Sequence, residues 1–290
     1  MAEDGSGGSP RVPAFQLLML DIDGTLVPED KVVPPGVVTA IHAAQAHGIR
    51  VCLATGRQWT SARRFVDIVQ ADPPVIAYNG ALVYDFQSDR TLWIRRLSLE
   101  EALRVLPVLR RFPETSPLVF VRSQVFAERL TPFVELYGRR DARPVEIVPD
   151  LEQLLSEPPM KFLIVGDPPD LERLSHALAA LPGPPVNQVK SQREYLEILP
   201  PGIDKGVALR ELAKAIDVPL GRIVAVGDNM NDLTMIQTAG WGVAVEGGPA
   251  ALLAAAKETC PPPEQEGVRV LIERLFLRTD IPRTPPDPQS

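Results

Sequence analysis

The sequence predicts an α/β fold: a doubly wound, mainly parallel sheet into which a smaller α+β domain is inserted. Strands and helices alternate over roughly the first eighty residues, a mixed order of hairpins and helices follows, and the alternation resumes after Pro200-Pro201-Gly202. We therefore expect the two ends of the chain to build one sheet and the middle to fold separately.

The first part of the chain forms a βαβαβ pattern, in which short apolar runs alternate with helical periodicity. Its first helix begins at a proline and ends before Gly48, as helices commonly do. Such units give parallel strands joined by right-handed crossovers. The predicted strands are Gln16–Asp23, Ile49–Ala54 and Pro74–Tyr78, and the predicted helices are Pro34–His47 and Gln58–Val69.

The middle begins with a hairpin, Ala81–Tyr84 and Thr91–Arg95, around a polar turn. Short strands and helices then alternate without a βαβ order, which indicates an α+β unit. The predicted helices are Leu99–Arg111, Pro132–Tyr137 and Pro169–Leu181, and the predicted strands are Leu118–Val121, Val125–Ala127, Val145–Val148, Met160–Val165, Val186–Ser191 and Tyr195–Leu199.

The final part returns to helix–strand alternation. Its predicted helices are Lys205–Ile216, Asn229–Thr238, Ala250–Ala256 and Val268–Phe276, with strands Ile223–Val226 and Gly242–Val245. The expected domains are a core of residues 14–84 and 200–278 and an insert of residues 85–199, with hinges near Asp85 and Pro200. A flexible tail, 1–13, and a proline-rich disordered tail, 279–290, are expected outside them.

The composition is that of a soluble globular protein, with 45% apolar and 23% charged residues in 290. A net charge of -7 argues against a nucleic-acid-binding surface. No apolar run is long enough to span a bilayer and the N-terminal stretch lacks a signal peptide, so we expect a cytoplasmic protein without a membrane partner. The oligomeric state does not follow from the sequence.

Two carboxylates, in Asp21-Ile22-Asp23-Gly24-Thr25, stand where the first strand ends. Ligands of open α/β sheets bind at this carboxyl end, and strand alternation points both side chains the same way. A cation could hold the pair ionised and leave one aspartate free as a nucleophile. The alternative is an Asp-Gly turn in which Thr25 caps the following segment.

Two further fragments supply groups that bind phosphate. Thr55, in Ala54-Thr55-Gly56-Arg57, follows the second strand, where its hydroxyl and nearby backbone N–H groups could bind a phosphate oxygen. Lys205 stands near a helix start, where a cation is unfavourable unless an anion pairs with it. The alternatives are an ordinary threonine cap and a solvated lysine.

A fourth fragment, Gly227-Asp228-Asn229-Met230-Asn231-Asp232, follows the strand Ile223–Val226. The carboxylate of Asp228 suits Mg²⁺, and Asn231 and Asp232 could bind or orient the ion. An Asp/Asn-rich helix cap is the alternative. Together the four fragments provide what metal-assisted phosphoryl transfer through an aspartyl intermediate requires, although the residues alone do not distinguish nucleophile from acid.

With these four motifs in this order, the chain resembles the haloacid-dehalogenase-like hydrolase superfamily, specifically the Cof-type, class IIB phosphatases. The resemblance implies a Rossmann-like core with an α+β cap of the C2B type. The long spacing between Thr55 and Lys205 puts the insert between the second and third motifs.

The resemblance also implies roles for individual residues. Asp21 would be the nucleophile and Asp23 the general acid and then base. The phosphoryl group would be bound by Thr55, Gly56, Lys205 and the backbone N–H groups of Ile22 and Gly24. Mg²⁺ would be held by Asp21, the Asp23 carbonyl and Asp228, with Asn231 and Asp232 in support.

Two residues are weaker candidates for substrate contact. Arg57 either reaches the site or pairs with a carboxylate, and Asn79, in Asn79-Gly80-Ala81, either contacts substrate or forms a plain turn. The expected function is a Mg²⁺-dependent phosphomonoesterase for a small phosphorylated metabolite, with a sugar phosphate the best guess. The alternatives are a phosphohexomutase of the same superfamily and a non-catalytic ligand-binding protein.

Overall fold

The computed structural model describes residues 15–28, 32–141 and 144–277. The tails predicted for residues 1–13 and 279–290 lie outside these ranges.

Helices and strands in the described residues follow the predicted order. In chain order the elements are β1 (Leu17–Asp21), α1 (Pro35–Ala46), β2 (Arg50–Ala54), α2 (Trp59–Val69), β3 (Val75–Ala77), β4 (Leu82–Asp85), β5 (Arg90–Ile94), α3 (Leu99–Leu109), β6 (Ser116–Val121), β7 (Gln124–Ala127), α4 (Pro132–Asp141), β8 (Glu146–Ile147), β9 (Lys161–Val165), α5 (Pro168–Ala179), β10 (Asn187–Gln192), β11 (Tyr195–Leu199), α6 (Lys205–Ala215), β12 (Ile223–Gly227), α7 (Leu233–Thr238), β13 (Trp241–Val245), α8 (Ala250–Ala255), β14 (Glu258–Cys260) and α9 (Gly267–Ile272).

The larger sheet has the order β14-β13-β12-β1-β2-β3-β4-β5. Its strands from β14 to β3 are parallel, and the β3-β4-β5 edge is antiparallel. Apolar side chains cover both faces, since Leu18 and Leu20 of β1 pack with α1 and α9 while Leu17 and Met19 pack with α6 and α7. The predicted doubly wound α/β fold is confirmed.

The smaller sheet has the order β10-β11-β9-β6-β7-β8 and is antiparallel apart from the β7-β8 pair. Helices α3 and α5 pack on one of its faces, around Phe162 and Ile164. The other face, with Phe120 and Leu163, packs toward the larger unit. This inserted unit, α3 to β11, is called the cap below.

Three details differ from the sequence predictions. Hydrogen bonds join β5 to the larger sheet, whereas a boundary at residue 85 would place it in the insert. The short strand β14 was not predicted, because Glu258–Cys260 has little apolar pattern. The predicted helix Asn229–Thr238 begins with a separate turn, Met230–Asp232, because Asn229 caps that turn.

Candidate active site

The motifs predicted from sequence meet at one edge of the larger sheet. Strand β1 lies between β2 and β12 and runs parallel to both, with Asp21 opposite Ala54 and Leu20 opposite Val226. The loops that follow these three strands therefore start side by side. They bring Asp21, Thr55 and Asp228 together at the carboxyl end of the sheet.

Lys205 is fully buried, with its Nζ 2.5 Å from Oδ1 of Asp21 and 2.5 Å from Oδ1 of Asp232. It is the first residue of α6, where Asp204 caps the helix by accepting the N–H of Val207. Burial opposes the charged ammonium, but the two carboxylates outweigh that effect and raise the pKa of Lys205. The predicted anionic partners of Lys205 are thus these aspartates.

The carboxylates of Asp21, Asp228 and Asp232 form a cluster, with one oxygen of each lying within 4.8 Å of the others. Burial, and then the charge of Asp232, raises the pKa of Asp21 well above its usual value and that of Asp228 to about 7. Burial is the main cause of both pKa shifts, and the single ammonium of Lys205 does not offset it. An all-oxygen donor set of this kind fits a hard divalent cation.

The three carboxylates are not equally available to a cation. Asp232 uses one oxygen for Lys205 and its other oxygen accepts the N–H groups of Asp228 and Asn229, at 3.1 and 3.2 Å. Asp228 accepts a bond of 3.0 Å from the Thr25 hydroxyl. The contacts of Asp232 match the supporting role that the resemblance implies, whereas Asp21 and Asp228 offer oxygens to a ligand.

Gly24 makes room for this cluster. Its φ is +85°, and a Cβ there would lie 2.4 Å from Oδ2 of Asp228. Its N–H donates to the carbonyl of Val27 at 3.0 Å. A phosphate oxygen that used this N–H, as the resemblance implies, would have to compete with that carbonyl.

The loop after β2 is held by backbone hydrogen bonds. Thr55 donates its N–H to Ile76, and its carbonyl accepts the N–H of Asn79 at 3.0 Å. The Thr55 hydroxyl accepts the N–H of Arg57 at 3.0 Å, which leaves its own hydrogen for a second bond. Helix α2 begins only at Trp59, so the loop precedes the helix.

Arg57 pairs with a carboxylate, one of the two possibilities left open by the sequence, and the carboxylate is that of Asp23. Its Nε and Nη2 donate to the two oxygens of Asp23 at 2.7 and 2.8 Å. Its Nη1 donates to Asp141 of the cap at 2.5 Å. The guanidinium thus lies between a predicted catalytic residue and the inserted unit.

Asn79 lies behind the site. It is 1% exposed, has a φ of +50°, and accepts a hydrogen bond of 3.0 Å from Nδ2 of Asn231. Asn231 lines the cavity and Asn79 does not. Nδ2 of Asn79 and Oδ1 of Asn231 are buried without a partner among the described residues.

A cavity lies between the motif loops and the cap. The core side of its wall includes Asp21, Asp23, Gly56, Arg57, Asp228 and Asn231, and the cap side includes Phe120, Tyr137, Arg140, Asp141, Lys161, Ser191, Gln192, Tyr195 and Glu197. None of the cap residues was predicted from sequence. A charge inside an apolar strand, as at Glu197 in Tyr195–Leu199, was the available signal.

Lys161 and Glu197 form a buried ion pair in this wall, with Nζ 2.6 Å from Oε2 and both side chains 3% exposed. Nζ of Lys161 also donates to the carbonyl of Gly56 at 2.8 Å and lies 4.9 Å from the centre of the Phe120 ring. Ser191 donates to the other oxygen of Glu197. A charged pair of the cap therefore contacts the predicted phosphate-binding loop directly.

Comparison with known proteins agrees with this fold and site. Residues 18–272 match the model of the haloacid dehalogenase-like hydrolases. A 5-amino-6-(5-phospho-D-ribitylamino)uracil phosphatase of Bacillus subtilis is 27% identical over 266 residues, which cover 90% of this chain and 97% of that protein.

Solved structures show the same architecture. A haloacid dehalogenase-like hydrolase from Bacteroides thetaiotaomicron is 27% identical, has a TM-score of 0.82, and covers 90% of this chain and 100% of its own. A subclass IIB sugar phosphatase is 20% identical, with a TM-score of 0.78 over 89% of this chain and 98% of its own. At that identity, the second likeness concerns the fold alone.

The fold and the site are those of an α/β enzyme with an acidic cluster beneath a cap. The chain belongs to the haloacid dehalogenase-like hydrolase family. The predicted resemblance is confirmed, and so is the predicted enzymatic class, since the matched relatives include phosphatases. The cap agrees with the class IIB architecture in its fold. In the described part of the chain, no helix has both the length and the apolar composition needed to cross a bilayer.

Proposed function

We propose that the chain is a Mg²⁺-dependent phosphomonoesterase that hydrolyses a small phosphorylated metabolite through an aspartyl-phosphate. The observation that carries this proposal is the charge of the buried cluster. Three carboxylates, of Asp21, Asp228 and Asp232, and one ammonium, of Lys205, leave two negative charges, which one Mg²⁺ balances. With that charge balanced, Asp21 is ionised and can act as a nucleophile.

The contacts of the two aspartates support different roles. Asp21 is 4% exposed and contacts Lys205 at the end of β1, as a nucleophile held in place would. The side chain of Asp23 is 22% exposed at the cavity and pairs with Arg57. We therefore assign nucleophilic attack to Asp21 and proton transfer to Asp23.

In the first step a carboxylate oxygen of Asp21 bonds to phosphorus, the ester P–O bond breaks, and Asp23 protonates the departing alcohol. In the second step Asp23 takes a proton from water, whose oxygen attacks the phosphorus and releases inorganic phosphate from Asp21. Bound Mg²⁺, held by Asp21, the Asp23 carbonyl and Asp228, would supply Lewis-acid stabilisation of the charge on the phosphoryl oxygens.

The phosphoryl group has donors on two sides in this arrangement. Lys205 lies beside Asp21, and the hydroxyl of Thr55 and the loop at Gly56 follow the neighbouring strand. Donors that are already fixed by the fold need little reorganisation as charge develops, which is the main source of catalysis in such sites. The backbone N–H groups of Ile22 and Gly24 complete the five proposed donors, and that of Gly24 must first be released from the carbonyl of Val27.

The polar wall of the cap supports a small, polar leaving group, and we propose that the substrate is a sugar phosphate. Lys161, Ser191, Gln192 and Glu197 offer both hydrogen-bond donors and acceptors at the cavity. The related phosphatase of Bacillus subtilis acts, by its name, on 5-amino-6-(5-phospho-D-ribitylamino)uracil. A closed cap would also exclude bulk water from the reacting centre.

The test is phosphate release from a panel of sugar phosphates and nucleotides, with Mg²⁺ and with EDTA. We expect Mg²⁺-dependent release by the wild type and its loss in Asp21→Asn, which keeps the shape of the side chain. Asp67→Asn, an exposed aspartate on α2, is the matched control and should retain activity. Conversion of a hexose 1-phosphate to the 6-phosphate without phosphate release would instead identify a mutase.

A further inference from the structure

Arg57 joins the core to the cap through two carboxylates. Its Nε and Nη2 bind both oxygens of Asp23, and its Nη1 binds Oδ1 of Asp141. The arginine side chain is 6% exposed, and those of Asp23 and Asp141 are 22% and 14% exposed. The planar guanidinium therefore has a fixed orientation, determined by one partner on each side of the cavity.

Asp141 occupies a position where its negative charge is unfavourable unless a cation pairs with it. It lies in the last described turn of α4, and the helix dipole disfavours a carboxylate near the C-terminal end of a helix. Its bond to Arg57 offsets this effect and links the end of α4 to the loop after β2. Helix α4 packs through Val134 and Tyr137 in the apolar cluster shared with the core.

Other polar contacts join the cap to the core across the same boundary. Lys161 donates to the carbonyl of Gly56 at 2.8 Å, and Nδ2 of Asn229 donates to the carbonyl of Ser191 at 3.2 Å. Those two contacts end on backbone carbonyls. The Arg57–Asp141 contact differs because its far side is the carboxylate of Asp23, to which the proposed function assigns proton transfer.

We propose that Asp141 is a positioning residue, which holds one end of the Arg57 guanidinium so that its other end orients Asp23 toward the leaving oxygen. Proton transfer to the leaving group is then efficient only with the cap closed. This inference rests on the proposed function, because it assumes that Asp23 is the general acid.

A positioning role predicts a dependence on the leaving group. Benzyl phosphate has a poor leaving group that needs protonation, whereas p-nitrophenyl phosphate has a good one that needs little. Apart from the ester oxygen itself, neither leaving group carries a hydroxyl that Asp141 could bind directly. Loss of Asp141 should therefore lower kcat/KM for benzyl phosphate much more than for p-nitrophenyl phosphate. A role of Asp141 confined to folding would instead lower kcat/KM equally for both esters.

The experiment compares kcat/KM for both esters in the wild type, Asp141→Asn, Asp141→Ala and Arg57→Lys. We expect Asp141→Ala to lose roughly 100-fold on benzyl phosphate and only roughly threefold on p-nitrophenyl phosphate, the size of a displaced general acid. Asp141→Asn keeps an acceptor oxygen, so its kcat/KM for benzyl phosphate should fall less than that of Asp141→Ala. Arg57→Lys cannot bind both carboxylates in one plane and should resemble Asp141→Ala.

Glu135→Gln, an exposed acid on the same helix, is the control and should leave both esters unaffected. Thermal melting checks that each variant is folded. Equal losses on the two esters, or no loss in folded Asp141→Ala, would overturn the positioning role. Absence of Mg²⁺-dependent release by the wild type would overturn the proposed function itself, and this inference with it.

Discussion

The ammonium of Lys205 lies 2.5 Å from the carboxylate of Asp21, a residue 184 positions away in the chain. This contact joins β1, the first strand in the chain, to α6, the helix that follows the insert. Lys205 also pairs with the buried Asp232, so its removal would leave two buried carboxylates without their ammonium.

Replacing Lys205 should therefore affect both activity and stability. Lys205→Met keeps the volume but leaves the aspartate cluster without its ammonium, and we expect phosphate release to fall at least about 100-fold. The free energy of unfolding, measured in urea without metal, should fall by about 3–5 kcal/mol, as when one partner of a buried pair is removed. Lys214→Met, exposed on the same helix, should change neither quantity, and a folded, active Lys205→Met would refute this reading of the site.

Mg²⁺ should stabilise the protein, because ions that bind only the folded state raise its stability. We expect a higher melting temperature with Mg²⁺, reversed by EDTA, and no such shift in Asp228→Asn. Glu246→Gln, an exposed acid just after β13 at the same edge of the sheet, should keep the shift. A Mg²⁺ response that survives in Asp228→Asn would place the ion elsewhere.

Gly24→Ala should disturb the carboxylate of Asp228 as well as strain the backbone. A Cβ at this position would lie 2.4 Å from Oδ2 of Asp228, so the carboxylate must move. Gly48→Ala is a matched control, because its φ is a similar +80° and nothing lies within 4 Å of its Cβ. Both variants should lose about 1–2 kcal/mol of stability from the positive φ, but only Gly24→Ala should also lose Mg²⁺ stabilisation and phosphate release.

The pair Lys161–Glu197 should be strongly coupled. Lys161→Met or Glu197→Gln alone should lower the free energy of unfolding by about 3–5 kcal/mol, because a buried charge remains. The double variant Lys161→Met/Glu197→Gln should lose much less than the sum. Urea unfolding gives this double-mutant cycle, and the exposed pair Arg122–Glu157, where water screens the charges, should show little coupling. If the stability losses of Lys161→Met and Glu197→Gln simply add in the double variant, the two charges do not form the ion pair described here.

Much of the core site could be predicted because its residues are local to strand ends. The motif at Asp21 and those at Thr55 and Asp228 each follow an apolar strand, and parallel strands place their carboxyl ends together. The partner of Lys205 could be inferred as an anion from its place at a helix start. The identity of those anions could not be inferred from the sequence, because it depends on how α6 packs against the sheet.

The cap side of the cavity could not be predicted in the same way. Arg57 and Asp141 are 84 positions apart, and Lys161 and Glu197 are 36 apart. Their contacts depend on the order β11-β9-β6 of the smaller sheet and on the position of the cap over the core. Antiparallel strands in a mixed order have many possible pairings, and local sequence patterns do not choose among them.

The fold class, the place of the insert and the groups at the strand ends follow from the amino-acid sequence alone, because strand periodicity and motif spacing are properties of short segments. The three-dimensional structure was needed to show that Arg57 joins Asp23 to Asp141, that Asn79 lies behind Asn231, and that Lys161 contacts the Gly56 loop. Those relationships follow from packing between distant segments, which brings together charges that the chain itself keeps far apart.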